Sequence, residues 1–284
     1  MQLAETRLPG SCDSRAIPTH LGAGRRFSWC WRRGTMGALL AALLASVAHA
    51  ETLIVYGSDR YPPISYLKAG KAEGIIPRIL QRLQAETGDT YDIRLMPWAR
   101  VMRMASAGEG AAANISWNSE RAEIYDYSVP LYLSEVVVVV RKGNAFPFET
   151  LQDLKGKLIG VGLGSSYGNA ADEAIAKGLF AVDRDADQQS RMLKLLAGRV
   201  DAVFVSSGRE GVRHMLESAP ELKGRIDQFV VLPQAVSSNP LHLAYLKRAG
   251  KKPAIERLNK AFLRLKARGA FNDLLAGGPR WRTD

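Results

Sequence analysis

Apolar positions along the chain switch between a period of two and a helical period, and the switching spells out successive β-α-β units. Leu53–Tyr56 is a short strand-like run closed by the polar turn Gly57-Ser58-Asp59-Arg60 and by Tyr61-Pro62-Pro63. Prolines do not continue a ladder, so Asp59 and Tyr61 are expected at the carboxyl end of that strand. After Gly74, the residues Ile75, Ile76, Ile79, Leu80 and Leu83 repeat at helical spacing as far as Gly88, and Tyr91–Met96 alternates as a second strand. Pro97-Trp98-Ala99-Arg100 opens another helix, with Val101, Met102 and Ala105 on its buried side. Gly108 and Gly110 then lead into Ala111–Tyr132, where small apolar residues run to Ile115 and give way to Ser116-Trp117-Asn118. A buried strand ending in a polar cluster is the pattern of a ligand crevice in an open α/β sheet.

Val136–Val140 reads as a fully buried or crossing strand, ended by Arg141-Lys142-Gly143-Asn144. The pattern then restarts with a short helix Leu151–Leu154, a strand Leu158–Val161, a helix from Tyr167 to about Lys177 and a strand near Phe180–Val182. A helix Gln188–Leu196 and strands Ala202–Val205 and Phe229–Leu232 follow. The tail carries a strand Leu241–Leu246, a helix Pro253–Leu265 and a short final helix Phe271–Leu275. Two α/β units separated by a break predict two lobes, and a tail with its own elements can return to the first lobe, giving two crossings and a hinge. The boundaries expected are 51–140 with 236–284 for lobe 1, and 141–235 for lobe 2.

Composition changes this picture mainly at the N-terminus. Arg25, Arg26, Arg32 and Arg33 precede an apolar run Met36–Val47 that ends in Ala48-His49-Ala50, so residues 1–50 read as an export signal with an N-terminal extension, cleaved after Ala50. The run is shorter than the roughly 20 residues that span a bilayer. Cys12 and Cys30 both precede the expected cut, so the exported chain has no thiol, disulfide or cysteine metal site. Removing six arginines and two acids also leaves 33 basic against 26 acidic residues, a net charge of +7 rather than the +11 of the full chain. These charges are dispersed, and an exported protein does not meet DNA, so a nucleic-acid partner is not expected. His214 and His242 are the only histidines beyond the cut and lack ligand spacing, so neither a metal nor a cofactor is expected. Gly160–Gly164 lacks the spacing of a dinucleotide fingerprint.

Arg121 is the candidate reader of an anion. A guanidinium stays charged at working pH and offers a planar fork that matches a carboxylate with two parallel hydrogen bonds. Trp117, Trp98 and Tyr61 would suit a cyclic or apolar ligand body by stacking, although ordinary core packing accounts equally well for each aromatic.

Several segments together resemble the bacterial family 3 extracellular solute-binding proteins. They are the Asp59-Arg60-Tyr61-Pro62-Pro63 entry, Ser116 five residues before Arg121, Tyr127-Ser128-Val129-Pro130-Leu131-Tyr132, Leu151-Gln152-Asp153-Leu154-Lys155-Gly156, Gly164-Ser165-Ser166 and Leu196-Ala197-Gly198-Arg199-Val200-Asp201-Ala202. The resemblance spans about Leu53 to Leu275 and implies an α/β, type II periplasmic binding protein fold, with two lobes joined by two hinge strands and closing over a small ligand. It also implies that Arg121 clamps a ligand carboxylate with help from Ser116, and that Ser165 and Ser166 add donors at a helix start, where free N–H groups favour anions. An inner-membrane ABC permease is the partner implied, and a monomeric receptor is expected. One departure matters: where the amino-acid receptors place an aspartate that accepts the ligand ammonium, this chain has Ser206. Either the ligand lacks that ammonium, or Asp59, Glu135 or Glu210 replaces the missing acid.

Enzymatic readings compete with this one. Gly164-Ser165-Ser166-Tyr167-Gly168 also matches a nucleophile elbow, with Ser166 as nucleophile, Asp201 as acid and His242 as base. A cyclic-acid dehydratase on the same fold would need a general acid such as Glu210 or Glu135. A ligand-sensing receptor subunit is a further alternative. The expectation adopted is a non-catalytic periplasmic receptor for a small carboxylate-bearing solute, with Asp59, Tyr61, Trp98, Ser116, Trp117, Arg121, Ser165, Ser166 and Ser206 at its site.

Overall fold

The computed structural model describes residues Ala50–Leu275, and the expected export segment ahead of Ala50 lies outside them. The chain enters through β1 (Thr52–Ser58), followed by a small antiparallel sheet of β2 (Arg60–Tyr61), β3 (Ser65–Lys68) and β4 (Lys71–Glu73). The hydrophobic pattern does not announce this small sheet, because its strands span only two to four residues and bury little. Next come α1 (Ile75–Thr87), β5 (Thr90–Met96), α2 (Trp98–Ala107), β6 (Ala111–Ser116), α3 (Ser119–Ile124), β7 (Tyr125–Tyr127) and β8 (Tyr132–Arg141). Helix α1 buries Ile76, Ile79, Leu80 and Leu83, a stripe at i, i+3, i+4 and i+7, and stops at Gly88, whose φ of 76° closes the helix at no steric cost.

The second half runs through a single 3-10 turn at Leu151–Leu154, β9 (Leu158–Gly162), α4 (Asn169–Ala176), β10 (Ala181–Asp185), α5 (Gln188–Leu196), β11 (Ala202–Val205) and α6 (Gly208–Ser218). It closes with β12 (Phe229–Leu246), α7 (Lys252–Ala267) and α8 (Asn272–Leu275). The main sheet has the order β10-β9-β11-β8-β12-β6-β1-β5, with β7 also pairing with β12. Strands β1, β5 and β6 pair in parallel at one end, and β9, β10 and β11 do so at the other. Antiparallel β8 and β12 lie between these two parallel sets and join them.

Helices α3 and α6 and strand β7 are not announced by the apolar spacing, and two further elements differ from the sequence expectation. Phe229–Leu232 and Leu241–Leu246 are the two ends of one 18-residue strand. Pro233, Pro240 and the polar Ser237-Ser238-Asn239 read as a break, but β8 offers a continuous partner, and register shifts at Val231/Ala235 and Ala235/Ser237 absorb Pro233 as a bulge. Helix α4 begins at Asn169 rather than Tyr167, because Gly168 has φ 91° and the Tyr167 amide donates to the Asp172 carboxylate at 2.8 Å.

Val136–Val140 explains why a period of two is missing there. Val136, Val138 and Val140 pack with Ile159 and Phe204, while Val137 and Val139 pack with Met192 and Val212 on the other face. A strand covered on both faces has no solvent side to record. At the opposite end, Leu53, Val55, Leu80, Leu243, Leu258 and Phe262 share one core, and Tyr56, Val101 and Ile115 another.

Candidate functional site

All the parallel strands of both sets end toward one cavity of about 250 Å3. Ser58 and Asp59 reach it from the end of β1, Trp98 from the end of β5, Asn114 and Ser116 from β6. The turns after β9, β10 and β11 supply Ser165, Asp187 and Ser206. Ligands bind outside the carboxyl ends of strands in open α/β sheets, and this cavity lies there for both halves at once.

Of the residues named from the sequence, Asp59, Tyr61, Trp98, Ser116, Arg121, Ser165, Ser166 and Ser206 line the cavity. Trp117 does not. It is 45% exposed, because the extended chain that turns Ser116 and Asn118 inward turns the residue between them outward.

Arg121 is set by the residue that starts its helix. The Asn118 Oδ1 accepts from the Arg121 amide at 2.8 Å and caps α3. From there the guanidinium turns back, so that Nη1 donates to the Ser116 carbonyl at 3.1 Å and Nη2 to the Gly164 carbonyl at 2.8 Å. Burial lowers its pKa, opposed by Tyr127 and Asp172. No carboxylate pairs with it among the described residues. A half-buried guanidinium held only by neutral carbonyls is a strong site for an anion.

The same capping residue also reaches the turn ahead of α4 and α4 itself. Asn118 Nδ2 donates to the Ser166 hydroxyl and to the Asp172 carboxylate, each at 3.1 Å, and the Ser166 hydroxyl donates to Asp172 at 2.5 Å. The Tyr61 hydroxyl donates to the Ser206 carbonyl at 2.6 Å, an acceptor shared with Ser134 and Asn239. Trp98 Nε1 donates to the Gly164 carbonyl at 3.0 Å. Tyr61 and Trp98 thus act here through polar tips as well as ring faces.

Three expectations need correction. Ser165 and Ser166 lie in the turn ahead of α4, so the free amides at that helix start are not theirs. The serine-hydrolase arrangement does not assemble: Ser166 donates to Asp172, Asp201 accepts from the Leu158 amide at 2.7 Å, and His242 Nδ1 lies 2.8 Å from the Ser128 carbonyl. Of the acids that could stand in for the one missing at Ser206, Asp59 lines the cavity, whereas Glu135 and Glu210 do not. Glu210 is paired instead with Arg213 on the exposed face of α6.

Sequence reasoning missed Asn114, Asp187 and Arg191, which also line the cavity. Asn114 sits at a register shift between β6 and β12 with φ 64°, a left-handed conformation that asparagine tolerates better than most residues. Its Nδ2 donates to the Ser65 hydroxyl at 2.5 Å, while its Oδ1 is buried with no protein partner. Nothing in an alanine-rich strand signals such a residue. Asp187 was legible as the acidic residue before a helical pattern, and its carboxylate accepts from the Gln189 amide as the cap of α5. Arg191, one position before the apolar Met192, has the sequence setting of an ordinary surface charge, yet it is 6% exposed.

The family model for bacterial extracellular solute-binding proteins, family 3, matches residues 53–277. The L-cystine-binding protein TcyJ of Escherichia coli (strain K12) is 27% identical over 237 residues, covering 82% of this chain and 84% of that protein. Among solved structures, a histidine kinase sensor domain with similarity to periplasmic binding proteins superposes with a TM-score of 0.67 at 19% identity, over 78% of this chain and 93% of that one. An ancestral arginine-binding protein bound to arginine gives 0.65 at 23% identity, over 78% and 96%. These structures share the two-lobed α/β fold in which the present cavity lies between two sets of strand ends. By that architecture and by the match over nearly all of its described length, the chain belongs to the bacterial extracellular solute-binding proteins of family 3.

Proposed function

We propose that the protein is a periplasmic receptor that captures a small carboxylate-bearing solute, an amino acid or a close relative, and delivers it to an ABC permease. The export signal is removed after Ala50. Residues 51–140 and 236–275 form one lobe and 141–235 the other, a division supported by largely separate cores, although Val136–Val140 of the crossing strand β8 already pack in the cores of the second lobe.

One observation carries the reading. Arg121 is fixed by α3 in the first lobe, has no carboxylate partner among the described residues, and reaches the Gly164 carbonyl of the second lobe. A ligand carboxylate at this guanidinium touches both lobes and so favours the closed form over the open one. Asp59, beside Asp187, takes the ammonium that Ser206 cannot. The cystine-binding and arginine-binding relatives support an amino-acid ligand, without fixing its side chain.

The test is a thermal-shift screen of protein purified from the periplasm and refolded free of carried-over solute. N-terminal sequencing is expected to read Glu51. A ligand at 100 times its Kd stabilises the protein by about 2.7 kcal/mol. L-amino acids including L-cystine and L-arginine, tested beside cyclic and aliphatic carboxylic acids, are expected to yield at least one compound that shifts wild type but not Arg121→Ala. If no carboxylate shifts wild type, or if Arg121→Ala responds equally, the receptor reading fails.

A further inference from the structure

The cavity holds a second guanidinium besides Arg121. Arg191 projects from α5 in the second lobe, is 6% exposed and lines the same cavity. Its Nη1 donates to the Asp185 carbonyl at 2.7 Å, and its Nε is buried with no protein partner. The nearest obvious counter-ion is already engaged: the Asp185 carboxylate accepts from the Asp187 amide at 2.9 Å and the Ser190 hydroxyl at 2.7 Å, and pairs with Lys194 at 3.0 Å. Arg191 therefore has no ion pair among the described residues.

A buried cation without a counter-charge is costly unless an anion meets it, and Arg191 lines a cavity where one can. Charge in the lining points the same way. Arg60, Arg121 and Arg191 stand against Asp59 and Asp187, and Arg60 already lies 3.5 Å from Asp187 at the rim. What remains is two guanidiniums on opposite lobes and one unpaired carboxylate, Asp59.

We propose that Arg191 is a second anion subsite, and that the ligand is an amino acid carrying two carboxylates, one on Arg121 and the other on Arg191. The proposal rests on the amino-acid receptor reading above. With one acidic group on each lobe, a diacid bridges the cleft at both ends, whereas a monoacid leaves Arg191 desolvated and unpaired. The subsite therefore selects against neutral and cationic side chains as well as for acidic ones. Two sources share the chemistry: amino dicarboxylic acids, with one ammonium, and linked double amino acids, with two.

Calorimetric titration of the exported protein separates the outcomes. The probes are two matched pairs differing in the second carboxylate, L-aspartate with L-asparagine and L-glutamate with L-glutamine, and a third pair, L-cystine with S-methyl-L-cysteine, in which the second ammonium is lost as well. The expected result is that one diacid binds about tenfold or more tightly than its partner, the size of one charge-assisted contact. Arg191→Gln is expected to erase that ratio while leaving the monoacid affinity within about threefold. Arg191→Lys, which keeps the charge and loses the fork, is expected to keep part of it. Thermal unfolding without ligand reports whether either variant is misfolded, and the ratio is independent of a general loss of active protein.

The proposal is overturned if wild type binds L-asparagine, L-glutamine or L-arginine as tightly as any diacid, or if Arg191→Gln weakens both members of a pair equally. In either case the receptor reading survives. If only amine-free glutarate or succinate binds, with the same dependence on Arg191, the subsite stands and the amino-acid reading falls. If no probe binds, both fall.

Discussion

Arg121 Nη2 and the Gly164 carbonyl oxygen lie 2.8 Å apart, so a guanidinium anchored on α3 meets the turn that follows β9. Trp98 Nε1 reaches the same oxygen at 3.0 Å from the start of α2. One backbone carbonyl of the turn after β9 is thus read by two donors, from α2 and α3, while the other arm of Arg121 stays at the Ser116 carbonyl at the end of β6.

That geometry needs a planar fork. Arg121→Lys keeps the charge, but a single ammonium on a flexible stem cannot hold the Ser116 and Gly164 carbonyls and a carboxylate together. The variant is expected to fold with a midpoint near wild type and to bind its ligand about tenfold or more weakly by calorimetry. Retention of wild-type affinity would show that charge alone suffices and that the bridging geometry is incidental.

Asp59 gives the site a pH dependence of opposite sign in its free and bound forms. Burial pushes its carboxyl above the ordinary value, Arg60 pulls it down and the nearby Asp187 adds to the rise. A raised folded-state pKa means that the free protein gains stability as pH falls through that value, since the folded form takes up the proton before the unfolded chain does. An ammonium ligand needs the carboxylate, so its affinity falls over the same range. Calorimetry and thermal unfolding from about pH 7 down to about pH 4 are expected to show that Asp59→Asn loses the fall in affinity and, relative to wild type, the stability that Asp59 adds against the loss from acids held low such as Asp185 and Asp273. An affinity that stays flat over that interval would remove Asp59 as the ammonium acceptor.

Stability at the far end of β1 depends on Asp89, whose side chain is fully buried. It accepts from Arg257 Nε at 3.1 Å and Nη2 at 3.0 Å, and from the Glu51 amide at 3.1 Å, tying α7 to the first strand. Arg257 is 38% exposed and water can recover part of what it loses. Asp89→Asn is therefore expected to cost about 2 kcal/mol, read as a lower urea midpoint at constant slope. Ligand affinity is expected to be unchanged, because these groups do not line the cavity. A loss below about 0.5 kcal/mol would mark the cluster as an ordinary surface pair.

The sequence by itself determined the parallel strands and most helices, though not α3 or α6, because those elements record their burial in the spacing of apolar residues. The stripe of α1, the unbroken Val136–Val140 and the fully buried β6 are all legible in this way. It also carried the order of polar motifs at strand ends, and eight of the nine residues named from it line one cavity. Tertiary structure decided what spacing does not encode. Pairing with β8 carried β12 through two prolines and a polar run, since a continuous neighbour and two register shifts outweigh local breakers. Alternation along an extended chain sent Trp117 outward. Asn114 and Arg191 became cavity residues only because a bulge and the packing of α5 left one polar atom of each buried without a protein partner. Such groups have no sequence signature, for their chemistry is set by what the fold places, or does not place, beside them.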